Sequence, residues 1–395
     1  MNYIELNNQV IIRDENGKYQ LDKDKEALKS YLEDYIEPKM KKFDNLNDRL
    51  NYLVENDYYS KEILDLYDQY VIDVIYDFIR AKNFKFQSYM SASKFYQNYA
   101  LKSNDGEEIL ENYEDKVLIV ALTLGNGEPK LAKDIAEKLI NQEFQPATPT
   151  FLNAGRARGG KMVSCFLVNV EDSCEGISYA VSSANHLSKI GGGVALNLTR
   201  LRASGESIKG IKGAAGGVMG VAKLLEQSFS YFNQMGARQG AGAVYLNVLH
   251  PDFETLLDSK KINADEKIRL TTLSIGAIIP DKFMELAEKN ENCYAFYPHS
   301  IYQKYGVHLD EIKMDEWYDK LAQDDEIEKK EINPRELLTR IAQTQQESGY
   351  PYVVFIDSAN QQHTLKDVGM IKMSNLCCEI FQYQTPSDIK GYGQV

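Results

Sequence analysis

The chain has few basic residues for its size and an excess of acidic ones. Among its 395 residues, 58 are Asp or Glu and 45 are Lys or Arg, which gives a net charge of −13. Proteins that bind nucleic acids present a basic face to the phosphates, so this charge argues against a DNA- or RNA-binding function. It leaves nucleotide binding open, because a single diphosphate needs only local hydrogen-bond donors.

Long apolar segments and cysteine-rich patterns are also absent. No run of about 18 apolar residues predicts a membrane span, and the opening residues, MNYIELNN, lack the cationic and apolar regions of a signal peptide. The 5 cysteines are too sparse for a disulfide framework. They form no Cys-x-x-Cys pair, and the 5 histidines have no ligand-like spacing to them, which argues against a metal site. We therefore expect a cytoplasmic protein in which any disulfide is transient and catalytic.

Apolar and tyrosine side chains recur at helical spacing in the first part of the chain. They predict one helix that ends at Pro38, a second that runs from Ser60 to Phe78, and a third that begins near Pro129. The stripes are typical of core-facing helices. We predict an α-helical domain over residues 1–146.

From residue 147 onward, β-prone apolar runs alternate with helical stretches. The runs cover residues 165–170, 193–198, 243–248, 272–279 and 351–356. This alternation predicts an α/β domain over residues 147–395, with parallel strands and helical crossovers. The charged run 324–330 is typical of a solvated helix end or loop.

The heptapeptide MSNLCCE, residues 373–379, combines three reactive groups at alternate positions. In an extended chain, Asn375, Cys377 and Glu379 would share one face. An amide can hold a substrate hydroxyl, a carboxylate can take its proton, and a thiol can exchange a hydrogen atom or act as a nucleophile. The alternative is a buried strand that happens to contain two cysteines, since cysteine is often buried.

Further motifs occur in a fixed order along the chain. They are ATPTFLN (147–153), VSCFL (163–167), EDS (171–173), LSKIGGGV (187–194), LRASG (201–205), GARQGAGAVYL (236–246) and ESGYPY (347–352). Together with MSNLCCE, they resemble the catalytic (large) subunit of class I ribonucleotide reductases, and the pattern is most similar to the class Ib branch. The resemblance implies the first part of a ten-stranded α/β barrel, preceded by the α-helical domain.

The resemblance also implies roles for individual residues in ribose reduction. Cys377 would become a thiyl radical that removes the 3′ hydrogen, Glu379 would act as general base towards the 3′ hydroxyl, and Asn375 would orient the substrate. Cys165 would be the first of two reducing cysteines, with its partner beyond Val395.

Substrate binding is implied at Thr148, Ser164, Cys165, Gly193 and along the segment Asn375, Leu376, Cys377, Cys378 and Glu379. The glycine run that ends at Gly193 is open to another interpretation, a tight turn. Cys378 is open to another as well, a packing residue on the opposite face of the strand.

An allosteric specificity site is implied at Asp172, Arg202 and Arg238. It would bind a deoxynucleotide or ATP, and Arg238 lies in a glycine-rich loop that would connect effector and substrate. The alternatives are helix capping for Asp172 and an ordinary surface position for Arg202. No segment resembles the ATP-binding cone that regulates overall activity in some relatives.

The implied partners are a ribonucleoside diphosphate, a radical-generating small subunit with a dimetal site and tyrosyl radical, a glutaredoxin-like redoxin and a second copy of the chain. Since the resemblance stops midway through the barrel, we expect a split or truncated subunit that requires a complementing C-terminal chain. Two alternatives stay open: a nucleotide-binding fragment without catalysis, and an adenosylcobalamin-dependent reductase.

Overall fold

The computed structural model describes residues 2–232 and 240–385. Contacts divide the chain into two compact units, 1–164 and 165–395. The division lies later in the chain than the predicted domain boundary at 146, because a short helix beginning at Thr148 packs Phe151 into the core of the first unit. Across the described ranges, no helix is both long and apolar enough to cross a membrane.

The described part of the first unit is helical. Its α-helices are α1 Tyr3–Gln9, α2 Asp22–Ser30, α3 Leu46–Glu55, α4 Lys61–Leu64, α5 Gln69–Ala81, α6 Tyr89–Asn98, α7 Tyr113–Gly125, α8 Pro129–Ile140 and α9 Thr148–Asn153. A π-helical turn, Tyr31–Ile36, and a 3-10 turn, Glu37–Lys39, continue α2.

Two of the three predicted helices are confirmed and one is wrong. The first extends through Pro38 by its 3-10 turn, and α8 begins at Pro129, where a missing N–H costs nothing. The predicted helix from Ser60 to Phe78 is instead two helices, α4 and α5, separated by residues 65–68.

The centre of the first unit is α7, which is buried on nearly all sides. Its first turn is fixed by a reciprocal cap in which Asn112 Oδ1 accepts from Asp115 N at 2.8 Å and Asp115 Oδ2 accepts from Asn112 N at 2.8 Å. It ends at Asn126, which adopts the left-handed conformation with φ 45°.

The second unit is built around a parallel sheet. Its strands lie in the order β1-β2-β3-β4-β7, and all four pairings are parallel. The strands are β1 Cys165–Asn169, β2 Gly193–Asn197, β3 Gly242–Asn247, β4 Ser274–Ile279 and β7 Tyr352–Phe355, with an antiparallel pair β5 Cys293–Phe296 and β6 Lys329–Ile332. The helices are α10 Cys174–Lys189, α11 Val218–Tyr231, α12 Phe253–Asp258, α13 Asp281–Lys289, α14 Pro298–Tyr305, α15 Met314–Gln323, α16 Pro334–Ser348 and α17 Ile356–Gln362.

The predicted α/β class and all five predicted parallel strands are confirmed within one or two residues. The β5–β6 pair was not predicted, and the charged run 324–330, expected as a helix end or loop, runs into β6 at Lys329. The charged side chains of β6 can occupy an exposed edge strand because only the backbone must pair.

Side chains alternate between two cores on the two faces of the sheet. On β2, for example, Val194 and Leu196 pack with the surrounding helices, whereas Ala195 faces the other way. That second face, here called the inner face, also includes Tyr245 of β3 and is filled by Met373. The chain after α17 therefore covers the inner face and carries the heptapeptide onto it.

Candidate active site

The heptapeptide is a turn and not the extended strand that we predicted. Leu376 and Cys377 form the turn, and Cys378 N donates to Asn375 O at 3.2 Å. Cys378 has φ 65°, in the left-handed region, which an extended strand cannot contain. The period-two spacing that grouped Asn375, Cys377 and Glu379 in the sequence is therefore not the geometry that the structure gives them.

The side chain of Asn375 holds this turn closed. It is fully buried, and its Oδ1 accepts hydrogen bonds from Glu379 N and Ile380 N, each at 2.9 Å. Both hydrogen bonds are part-buried, and a donor that is shielded from water is costly to leave without an acceptor. The amide thus folds Glu379 back towards Asn375.

Three of the predicted catalytic groups meet at Cys165. Asn375 Nδ2 donates to Cys165 Sγ at 3.1 Å, and the thiol lies 3.9 Å from Glu379 Oε1. Cys377 is exposed at the turn between these residues. Burial raises the pKa of Tyr352, with further contributions from Tyr350 and, to a smaller extent, Cys377. The arrangement gathers an amide, a carboxylate and a thiol, and the exposed Cys377 belongs to the same turn.

Gly193 allows the turn to approach the sheet. It begins β2 directly opposite Cys165 on β1, and a Cβ at this position would lie 2.7 Å from Leu376 Cδ2. The preceding Gly192 is equally constrained, since its Cβ would lie 2.1 Å from the ring of Phe166. The two glycines therefore let Leu376 and Phe166 approach the backbone closely, a role beyond the tight turn that the sequence suggested.

Tyr245 supports the turn from below and was not identified from the sequence. Its fully buried hydroxyl donates to Asn375 O at 2.7 Å, and burial raises the pKa of this phenol, with a further contribution from Cys378. Gly276 leaves room for the ring, since a Cβ there would lie 2.3 Å from it. A tyrosine inside an otherwise apolar strand was the available signal, because a buried phenol requires a partner.

Cys378 turns away from this cluster. Its thiol lies 3.5 Å from Val353 O and the side chain packs with the inner-face core. This placement agrees with the packing alternative, although the side chain reaches the core from a turn and not from the opposite face of a strand.

The remaining predicted substrate residues belong to the first unit. Thr148 begins α9, and its hydroxyl lies 3.1 Å from Tyr99 Oη. Ser164 directly precedes Cys165 in the chain.

The predicted effector residues pair at the other end of the same strands. Arg202 Nε donates to Asp172 Oδ2 at 2.6 Å, and Arg202 Nη1 donates to Ser207 O at 2.9 Å. Ser173, not Asp172, caps α10 by accepting from Gly176 N. Asp172 and Arg202 line a cavity of about 450 Å³ at the N-terminus of α10, an end that favours anions. Arg238 lies outside the described residues.

The fold agrees with three family matches. The matches are "Ribonucleotide reductase N-terminal" over residues 3–84, "Ribonucleotide reductase, all-alpha domain" over 85–159 and "Ribonucleotide reductase, barrel domain" over 163–390. Together they place the chain in the ribonucleotide reductase family, whose members are oxidoreductases, and they confirm a barrel domain after the helical part.

Within this class, the chain belongs to the large (alpha) subunit family. It is 51% identical over 392 residues to the ribonucleoside-diphosphate reductase subunit alpha of Bacillus subtilis, covering 99% of this chain and 56% of the relative. Against the Mycoplasma genitalium subunit alpha, identity is 44% over 386 residues, covering 98% of this chain and 53% of the relative. The chain thus spans about half the length of these curated relatives.

Proposed function

We propose that this chain supplies the first half of the catalytic barrel of a class Ib ribonucleoside-diphosphate reductase, which converts ribonucleoside diphosphates to deoxyribonucleoside diphosphates for DNA synthesis. The observation that carries the proposal is the convergence of Asn375 and Glu379 on the thiol of Cys165.

Each group has one task in this reaction. Cys377, converted to a thiyl radical by the small subunit, removes the 3′ hydrogen atom while Glu379 takes the proton of the 3′ hydroxyl. The 2′ hydroxyl leaves as water. Cys165 and a second cysteine from the complementing chain supply two electrons and two hydrogens as they close into a disulfide, and Cys377 returns its hydrogen to the 3′ carbon.

Asn375 is suited to orient the ribose because its own position is fixed by two backbone donors and by Tyr245 beneath its carbonyl. A group held by buried hydrogen bonds loses little freedom when substrate arrives. Thr148, Ser164, Gly193, Leu376 and Cys378 complete the proposed substrate contacts, with the glycine offering its backbone to the diphosphate.

The cavity beside Asp172 and Arg202 is the proposed specificity site. A deoxynucleoside triphosphate there would set its phosphates near Arg202 and the N-terminus of α10, while Asp172 accepts from the sugar hydroxyl. Arg238 is proposed to reach from the loop 233–242 towards effector and substrate. The alternative of effector binding without turnover draws support from the same cavity, since its lining residues lie in the described part of this chain.

The test is reconstitution. The chain is combined with the complementing C-terminal chain, the radical-generating small subunit and a glutaredoxin-like redoxin, and deoxynucleotide formation is measured with each effector. We expect turnover whose substrate preference changes with the effector. Effector binding without deoxynucleotide formation in any reconstituted mixture would favour the binding-fragment alternative, and activity that depends on cobalamin would contradict class Ib.

A further inference from the structure

The two candidate sites lie at opposite ends of the same pair of strands. Cys165 and Gly193 begin β1 and β2, whereas Asp172 and Arg202 follow the ends of those strands. Strands of five residues separate their ends by roughly 13 Å. Besides the proposed loop 233–242, a second connection between the two sites would run along the sheet.

A buried charge cluster lies next to the effector pair. The side chain of Arg200 is 4% exposed and contacts three carboxylates. Its Nε donates to Asp310 Oδ1 at 2.9 Å, its Nη1 donates to Glu171 Oε1 at 2.6 Å, and its Nη2 donates to Glu311 Oε1 at 2.6 Å. Glu171 and Arg200 thus pair alongside Asp172 and Arg202, between the same two chain segments. Because Leu201 between the arginines is buried, a shift of one pair displaces the other.

Lys372 connects this cluster to the heptapeptide. Its ammonium lies 3.2 Å from Glu311 Oε1, the same oxygen that accepts from Arg200, and 4.0 Å from Asp310 Oδ2. Lys372 is only 6% exposed. A buried cation depends on its carboxylate partners, since desolvation is costly without them, so Glu311 holds Lys372 and Arg200 in a fixed relation.

The segment from Lys372 to Leu376 runs back along the inner face towards the other end of β2. Met373, Ser374 and Asn375 are fully buried, and Leu376 contacts Gly193. A close-packed segment has little room to absorb a displacement. Movement at Lys372 would therefore reach Asn375 and the turn that carries Cys377.

We propose that Glu311 and Lys372 are positioning residues that transmit effector binding to the catalytic turn. The proposal rests on the proposed function and goes beyond it, because neither residue is among those assigned to the proposed substrate or effector site. A nucleotide triphosphate competes with Asp172 for Arg202, the neighbouring Arg200–Glu171 pair adjusts, and Glu311 passes the shift to Lys372. Because the segment after Lys372 leads to Asn375, this side chain is the part of the catalytic turn that the shift reaches first.

The experiment measures the affinity of the reconstituted complex for a ribonucleoside diphosphate with and without its matched deoxynucleoside triphosphate. In Glu311→Gln we expect the effector-induced gain in substrate affinity to fall by about 3- to 30-fold, the range found when a coupling element is altered. Effector affinity measured without substrate should change less than about twofold, well below the coupling factor itself. Lys372→Met should behave alike, and Lys372→Arg should restore most of the coupling because it keeps the charge.

Lys260→Met is the matched control. Lys260 is also buried at 7% exposed, but its ammonium donates to Leu270 O, outside the cluster. If Lys260→Met loses as much of the effector-induced gain in substrate affinity, the effect is general destabilisation and the proposal is overturned. A full effector-induced gain in Glu311→Gln would also overturn it. Glu311 has a side chain that is 37% exposed, so this variant carries the test if Lys372→Met does not fold. A parent complex whose substrate affinity no effector changes would instead overturn the proposed specificity site.

Discussion

The side-chain amide of Asn375 donates to the sulfur of Cys165 at 3.1 Å, although 210 residues separate them in the chain. The same amide oxygen receives two backbone hydrogen bonds from the turn. One residue thus shapes the turn with its acceptor and contacts the thiol with its donor. These two tasks can be separated by substitution.

Asn375→Ala removes both tasks, whereas Asn375→Asp keeps the acceptor and removes only the donor. We expect the alanine variant to lose about 1–3 kcal/mol of unfolding free energy, because two part-buried N–H groups lose their acceptor. The aspartate variant should be closer to the parent in stability. Both should lose most deoxynucleotide formation. Urea unfolding and turnover check the two parts, and an alanine variant as stable as the parent would contradict the assigned role in the turn.

Gly193→Ala tests the close approach of the turn to β2. The added Cβ would lie 2.7 Å from Leu376 Cδ2, so Leu376 must move, at a cost of about 1–3 kcal/mol for overpacking. Turnover should fall with stability because Cys377 follows Leu376. Gly220→Ala in α11 is the control: nothing lies within 4 Å of its Cβ position, and alanine is favoured over glycine in a helix by roughly 0.5–1 kcal/mol. Equal effects at the two glycines would refute the contact.

The five parallel strands of the second unit could be predicted because each is a short, largely apolar run between turn residues, whereas the charged strand β6 has no such pattern. The shape of the active site could not. Asn375, Cys377 and Glu379 have the spacing of a strand, but the positive φ of Cys378 turns the chain, and nothing in the local sequence requires it. The turn depends on Tyr245, 130 residues away from Asn375, and such long-range approach leaves no periodic signal.

Lys372 illustrates a second limit. A lysine between Ile371 and Met373 is unusual in a buried segment, so the sequence held a signal of a charge partner. Its partners, Asp310 and Glu311, follow α14 in a part of the chain without a recognised motif. The identity of the partners therefore required the tertiary structure.

Cys377→Ser should abolish deoxynucleotide formation while leaving effector binding intact, because an alcohol does not form the radical that a thiol forms. The neighbouring Cys378→Ser is the matched control. Its side chain packs near Val353 and away from Cys165, so we expect a modest loss of stability and substantial remaining turnover. Isotope-labelled substrate measures both rates. Retained turnover in Cys377→Ser would overturn the assignment of the radical thiol.

Lys260 predicts a pH dependence of stability. Burial lowers its pKa from 10.5 to about 8, so between about pH 8 and 10.5 the unfolded chain holds a proton that the folded chain has released. The free energy of unfolding should rise with pH across this window, by about 2–3 kcal/mol at most from this group. Lys260→Met should lack this rise. Urea titrations at pH 7.5 and about 10.5 would compare the two proteins, and parallel curves would show that the ammonium is solvated in the folded state.

Asp172→Ala should weaken effector binding and reduce the difference between substrates. The carboxylate now holds Arg202 at 2.6 Å beside the cavity, and its loss removes a charge-assisted acceptor, which corresponds to about 10- to 100-fold in affinity. Asp258→Ala is a matched control in the same unit, since Asp258 pairs with Arg340 at 2.8 Å away from the residues that line the cavity. Calorimetric titration with each deoxynucleoside triphosphate measures the affinity, and competition between two ribonucleoside diphosphates measures the selectivity.

Because selectivity depends on which effector is bound, the losses of effector affinity and of substrate selectivity should occur together in Asp172→Ala and be absent in Asp258→Ala. Weakened binding with unchanged selectivity would place the control of substrate choice elsewhere.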